Sequence, residues 1–127
     1  ECVSFVKQVG KKNVKAMLDT YHMNMEEDDM REAILQTKGY LGHFHVGENN
    51  RRLPGQGKII NWYEIAKALK DIDYNGAVVM EPFILAGGKV GSDIKIWRDM
   101  SDNATSEMLD IQAAGSVSFL KEVFSKS

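Results

Sequence analysis

Three short apolar runs, each closing on a side chain able to ligate a metal, constrain this chain more than any other feature. Val14-Lys15-Ala16-Met17-Leu18 closes on Asp19, with His22 just beyond it. Leu41-Gly42-His43-Phe44 closes on His45, and Ala77-Val78-Val79-Met80 closes on Glu81. Each reads as a buried strand that delivers chemistry at its carboxyl end. The stretches between them carry helical patterns and no hairpin signals. Cys2, Phe5, Val6 and Val9 make one apolar helical face, stopped at Gly10. The acidic segment Glu26-Glu27-Asp28-Asp29 places carboxylates at the amino end of a helix that begins at Met30 and ends near Lys38-Gly39. Asn61 is an N-cap for a helix over 62–73, whose apolar stripe is Trp62, Ile65, Ala66, Leu69 and Ile72. A last helix spans roughly 106–125. Strands alternating with helices in this way make a parallel sheet with helical crossovers.

The chain has 127 residues, 43% of them hydrophobic, which suits one domain, 1–127, with a single core. Its formal charge of −2 provides no basic footprint for phosphate, so nucleic acid is not expected as a partner. No run approaches the roughly 20 apolar residues of a spanning helix, and no secretory leader pattern opens the chain. The expectation is no membrane and a cytoplasmic location. Cys2 is the sole cysteine and excludes an intrachain disulfide. The start, Glu1-Cys2-Val3, lacks a Met and already lies in a helical pattern, so the sequence reads as the tail of something longer. Three parallel strands neither close a barrel nor cover both faces of a sheet, which leaves the remainder to be supplied from elsewhere.

Residues two apart on a strand share a face, so Met17 goes with Asp19, His43 with His45 and Val79 with Glu81. In barrels of alternating strands and helices the active site lies at the carboxyl ends of the strands, and the separations here allow one crossover each. An Asp, a His and a Glu converging there form a mixed oxygen and nitrogen site suited to Mn²⁺, Co²⁺ or Mg²⁺ rather than to thiolate-bound zinc. The plainer alternative is that Asp19 caps the following turn, His43 and His45 are satisfied histidines, and Glu81 fixes a cis or kinked bond to Pro82. Convergence of several groups decides between the two. The long polar loop over 46–60 also points to function. Its Arg51-Arg52 pair offers a guanidinium for a substrate oxygen, whereas Gly55-Gln56-Gly57 lacks the strand and spacing of a dinucleotide fingerprint. Trp62 and Trp97 read as packing residues.

Four longer stretches carry a family resemblance. They are Leu18-Asp19-Thr20-Tyr21-His22-Met23-Asn24-Met25-Glu26-Glu27, Gly42-His43-Phe44-His45-Val46-Gly47-Glu48-Asn49-Asn50-Arg51-Arg52-Leu53-Pro54-Gly55, Val79-Met80-Glu81-Pro82-Phe83 and Gly91-Ser92-Asp93-Ile94-Lys95-Ile96-Trp97-Arg98. Together they resemble the ketohexose 3-epimerases, the D-tagatose/D-psicose (allulose) group of the sugar isomerase and epimerase barrels. The resemblance implies an α/β fold that is part of a (β/α)8 TIM barrel, roughly its last three βα units with parallel strands. It implies a divalent cofactor, Mn²⁺ before Co²⁺ or Mg²⁺, with Asp19, His45 and Glu81 as three of four metal ligands. His22 and Arg51 look like the residues that grip a ketohexose substrate near O1 and O2, and Glu81 like one of two carboxylates that move the C3 proton through an enediolate. The family's fourth ligand, a Glu that also serves as the opposing acid/base, falls before Glu1. The expectation is therefore weak metal binding, no efficient epimerisation by this stretch alone, and a homo-oligomer. The alternative is a non-catalytic half-barrel module that self-associates through open sheet edges.

Overall fold

The computed structural model describes residues 1–127. Its elements run α1 (Cys2–Val9), β1 (Ala16–Asp19), α2 (Thr20–Glu26), α3 (Met30–Leu35), β2 (Leu41–Val46), α4 (Trp62–Asp71), β3 (Val78–Met80), α5 (Gly88–Asp93) and α6 (Ser106–Lys126). The strands form one parallel sheet in the order β1-β2-β3, as expected of part of a barrel. Sequence signals at the helix ends hold. Gly10 adopts a left-handed φ of 63° and donates its N–H to the Val6 carbonyl, which closes α1. Asp29 accepts from the Glu32 N–H at 3.0 Å and Asn61 from the Glu64 N–H at 3.3 Å, which opens α3 and α4.

The two faces of the sheet differ in kind. Phe44 and Val46 are fully buried and belong to a core with Ile34, Trp62, Ile65, Ala68 and Leu69 of the helical layer and Leu120 and Val123 of α6. The opposite face carries Met17, His43, His45 and Val79 and has no layer over it; Met17 is 50% exposed and Val79 38%. An uncovered sheet face is what a barrel wall presents when the rest of the wall is not there.

Register is the feature that matters for the site. Ala16 lies opposite Leu41, yet Met17 lies opposite His43, so β2 has one extra residue, Gly42, at a bulge. A Cβ on Gly42 would stand 2.5 Å from the Lys15 Cβ, so only glycine fits this crossing. Past the bulge, Asp19 pairs with His45, and His45 with Val79. Because side chains alternate with a period of two, a pairing without the extra residue would set Asp19 beside Phe44 and put its neighbour on the wrong face.

Some expectations need correction. Strand β1 begins at Ala16 rather than Val14, and α3 ends at Leu35, with a turn carrying the chain to Tyr40. Two short helices, α2 and α5, occupy stretches to which the sequence patterns assign no helix; each is shorter than two full turns, too short to display an amphipathic stripe. The Glu81–Pro82 bond is trans. Trp62 is buried as expected, but Trp97 is 82% exposed and packs no core.

Candidate active site and family

Asp19 is the last residue of β1 and the N-cap of α2, and it has an oxygen for each task. Its Oδ1 accepts the Tyr21 N–H at 2.8 Å, while its Oδ2 stands 3.7 Å from His45 Nδ1. The capping role raised as the plainer alternative is therefore real, but it leaves one oxygen free. His45, the penultimate residue of β2, also places Nδ1 3.2 Å from Glu81 Oε2. Glu81 lies one residue beyond β3. One donor atom from each of Asp19, His45 and Glu81 lies within 4.8 Å of the others. Two carboxylate oxygens and an imidazole nitrogen this close suit a hard or borderline divalent ion; with no cation between them, the two carboxylates would repel.

Thr20 holds the first two strand ends together. Its buried hydroxyl donates to the Gly47 carbonyl at 2.7 Å and accepts from the Gly47 N–H at 2.9 Å. One side chain thus ties the residue after Asp19 to the chain just past β2, keeping Asp19 and His45 adjacent. His22, exposed on α2, and the half-buried Arg51 line one small cleft with Asp19, Tyr21, Glu81 and Phe83. A second, larger cleft adjoins it through Tyr21, Arg51 and Phe83 and extends to Trp97 and Met100. Arg51 sits at φ 67°, donates its N–H to the Glu48 carbonyl at 2.9 Å and accepts the Phe83 N–H at 3.0 Å. All five residues singled out by sequence thus reach one corner of the molecule.

Three further carboxylates in the neighbouring stretches, those of Glu26, Glu27 and Glu48, do not join them. Glu26 and Glu27 are exposed at the end of α2. Glu48 is fully buried, and its Oε1 accepts from the Gly55 N–H at 2.8 Å and from Trp62 Nε1 at 2.9 Å. It pins the loop over 46–60 onto α4 and so fixes where Arg51 stands. Sequence reasoning missed Thr20, Tyr21 and Phe83 as supports, because their roles depend on neighbours distant along the chain. Their only sequence signal was proximity to Asp19 and Glu81.

A family model described as xylose isomerase-like TIM barrel matches residues 1–101. The D-psicose 3-epimerase of Agrobacterium fabrum is 54% identical over 97% of this chain and 42% of its own length. That of Ruminiclostridium cellulolyticum is 56% identical over 97% of this chain and 42% of its own. A crystal structure of a D-psicose 3-epimerase in the presence of D-fructose superposes with a TM-score of 0.94 at 54% identity, again covering 97% of this chain and 42% of that one. The chain thus spans about two fifths of the length of these relatives. No helix is long and apolar enough to cross a membrane. With its parallel strands, its helical crossovers and a donor cluster at the strands' carboxyl ends, the chain belongs to the xylose isomerase-like TIM barrel family.

Proposed function

We propose that this chain carries one wall of the active site of a metal-dependent ketohexose 3-epimerase. The observation that carries the proposal is the convergence of Asp19, His45 and Glu81 at the strand ends, beside a cleft that also holds His22 and Arg51. D-Psicose 3-epimerase is the name of three relatives that are 50–56% identical, which supports a free ketohexose as substrate.

Asp19, His45 and Glu81 would hold the divalent ion, Mn²⁺ first and Co²⁺ or Mg²⁺ as alternatives. When bound, such an ion supplies Lewis-acid polarisation of the substrate carbonyl, which acidifies the adjacent C–H. The chain's own residues do the rest. Arg51 and His22 bind and orient the O1 and O2 end of the sugar. The Glu81 carboxylate takes the C3 proton; the C3–H electron pair becomes the C2–C3 double bond, and the carbonyl pair moves onto O2 to give an enediolate. Arg51 hydrogen bonds stabilise the charge that develops on O2. Return of a proton to the same face restores the substrate, and return to the opposite face gives the C3 epimer. Inversion needs a second carboxylate across the sugar, and Glu26, Glu27 and Glu48 stand elsewhere.

The experiment incubates the chain with Mn²⁺ and D-fructose in D₂O and follows C3 by NMR. Deuterium entering C3 with retained configuration, dependent on the metal and lost in Glu81→Gln, is the expected result. Absence of metal-dependent exchange overturns the proposal. Epimer formation by the monomer as fast as by a whole barrel overturns the requirement for a second carboxylate.

A further inference from the structure

Five side chains of the candidate site come from three segments, and one residue that is neither ligand nor base touches three of them. Tyr21 donates its backbone N–H to Asp19 Oδ1 at 2.8 Å. Its ring meets the His22 ring edge to face, with centroids 5.1 Å apart and planes at 81°. The face of the same ring lies under Arg51, whose guanidinium carbon is 4.1 Å from the ring centroid. Phe83, just past Glu81, presents a second ring to that guanidinium at 5.6 Å.

A guanidinium carries all its N–H donors in its plane and stacks through its faces. Aromatic rings can therefore fix its orientation without consuming a donor, which a carboxylate partner could not do. The ion pairs of the chain involve Arg31, Lys38, His45, Lys89 and Lys126, and Arg51 enters none of them. Its donors are left for a ligand. We infer that Tyr21 is a positioning residue: its ring face, seconded by Phe83, aims the Arg51 guanidinium into the cleft with its donors unspent, while its backbone N–H turns Asp19 toward His45. The two functions separate chemically, because the first needs an aromatic ring and the second needs only a peptide N–H. Tyr21→Leu removes the first alone, and Tyr21→Phe removes neither.

This inference rests on the reading of Arg51 as a sugar-binding residue, so the experiment reads Arg51 placement and sugar binding apart. Wild type, Tyr21→Phe and Tyr21→Leu are compared by NMR with Mg²⁺ and D-fructose as probes. The Arg51 side-chain protons are expected to show an upfield ring-current shift in wild type and Tyr21→Phe and to lose most of it in Tyr21→Leu. Fructose affinity is expected to fall about tenfold in Tyr21→Leu, the scale of a partly buried cation–π contact, and to stay within about twofold in Tyr21→Phe. Mg²⁺ affinity is expected to stay within about twofold in both, since the Asp19 cap uses the backbone. A fall in Mg²⁺ and fructose affinity together in Tyr21→Leu would show a merely structural residue and overturn the inference. Equal losses in Phe and Leu would do the same by assigning the effect to the hydroxyl, and so would an unshifted Arg51 in wild type. A shifted Arg51 in a protein that binds no fructose would instead sink the sugar-binding reading and leave the geometric claim standing.

Discussion

Thr20→Val is the substitution that best isolates the joint between the first two strand ends. Valine keeps the branched shape of threonine but supplies no hydroxyl, and Thr20 is fully buried. The change strands the Gly47 N–H and C=O, both now paired with Oγ1 at 2.9 and 2.7 Å. A buried polar group left without a partner costs about 1–3 kcal/mol, so the pair, which shares one hydroxyl and is not additive, should cost about 3 kcal/mol. Thr20→Ser keeps the hydroxyl and deletes one methyl, for about 1 kcal/mol. With a urea slope of about 2 kcal/mol/M, the midpoint should drop by about 1.5 M in the valine variant and about 0.5 M in the serine variant. Since domains of this size have about 5–15 kcal/mol in total, both variants should still fold. Mn²⁺ affinity, read by electron paramagnetic resonance, should weaken in the valine variant only, because Asp19 and His45 are no longer held in step. A valine variant as stable as the serine one would refute the reasoning, for it would mean that the two short hydrogen bonds contribute nothing at this joint.

Other substitutions test separate links. Asp19→Asn should keep the cap to the Tyr21 N–H, and with it the melting temperature, while lowering Mn²⁺ affinity about tenfold or more; Asp19→Ala should lose the cap as well, about 1 kcal/mol, seen in thermal melts. Gly42→Ala should force the β1–β2 crossing apart and cost about 1–3 kcal/mol in urea titration, with loss of metal binding as the register is disturbed. Arg31 donates to Asp71 at 2.6 Å, and this hydrogen bond holds the Asp71 carboxyl below the usual carboxylate range. A carboxyl lowered in the folded state stabilises above its ordinary pKa and ceases to as pH falls through the lower folded value. Arg31→Met should therefore melt below wild type near neutrality, with the gap closing in strong acid.

Much of the fold was legible because its signals are local. Gly10, Asp29 and Asn61 each act on backbone groups within one turn of themselves, so their residue type alone announced the helix ends, whereas Thr105, the N-cap of α6, emerged only in the structure. The strands were legible as apolar runs, and their carboxyl ends pointed to Asp19, His45 and Glu81. The short helices α2 and α5 were not legible, since each is too short to repeat an apolar spacing; Thr20 and Met23 anchor α2 through contacts far along the chain. Trp97 misled because a tryptophan is usually interior in an isolated domain, whereas here it stands on a loop at the rim of the larger cleft.

The alternation of the three strands with crossover helices, their parallel sense and the residue types at each strand end were determined by sequence alone, because spacing and side-chain chemistry are properties of the linear chain. That Asp19 stands opposite His45 was decided only in three dimensions, by the bulge at Gly42 and the Thr20–Gly47 hydrogen bonds. Pairing with a period of two turns a one-residue shift into a change of face, so no count along the chain could tell whether these groups would meet. The same holds for Tyr21 and Arg51. Their stacking depends on the path of the loop that the buried Glu48 pins against Trp62, and that path exists only once the core has formed.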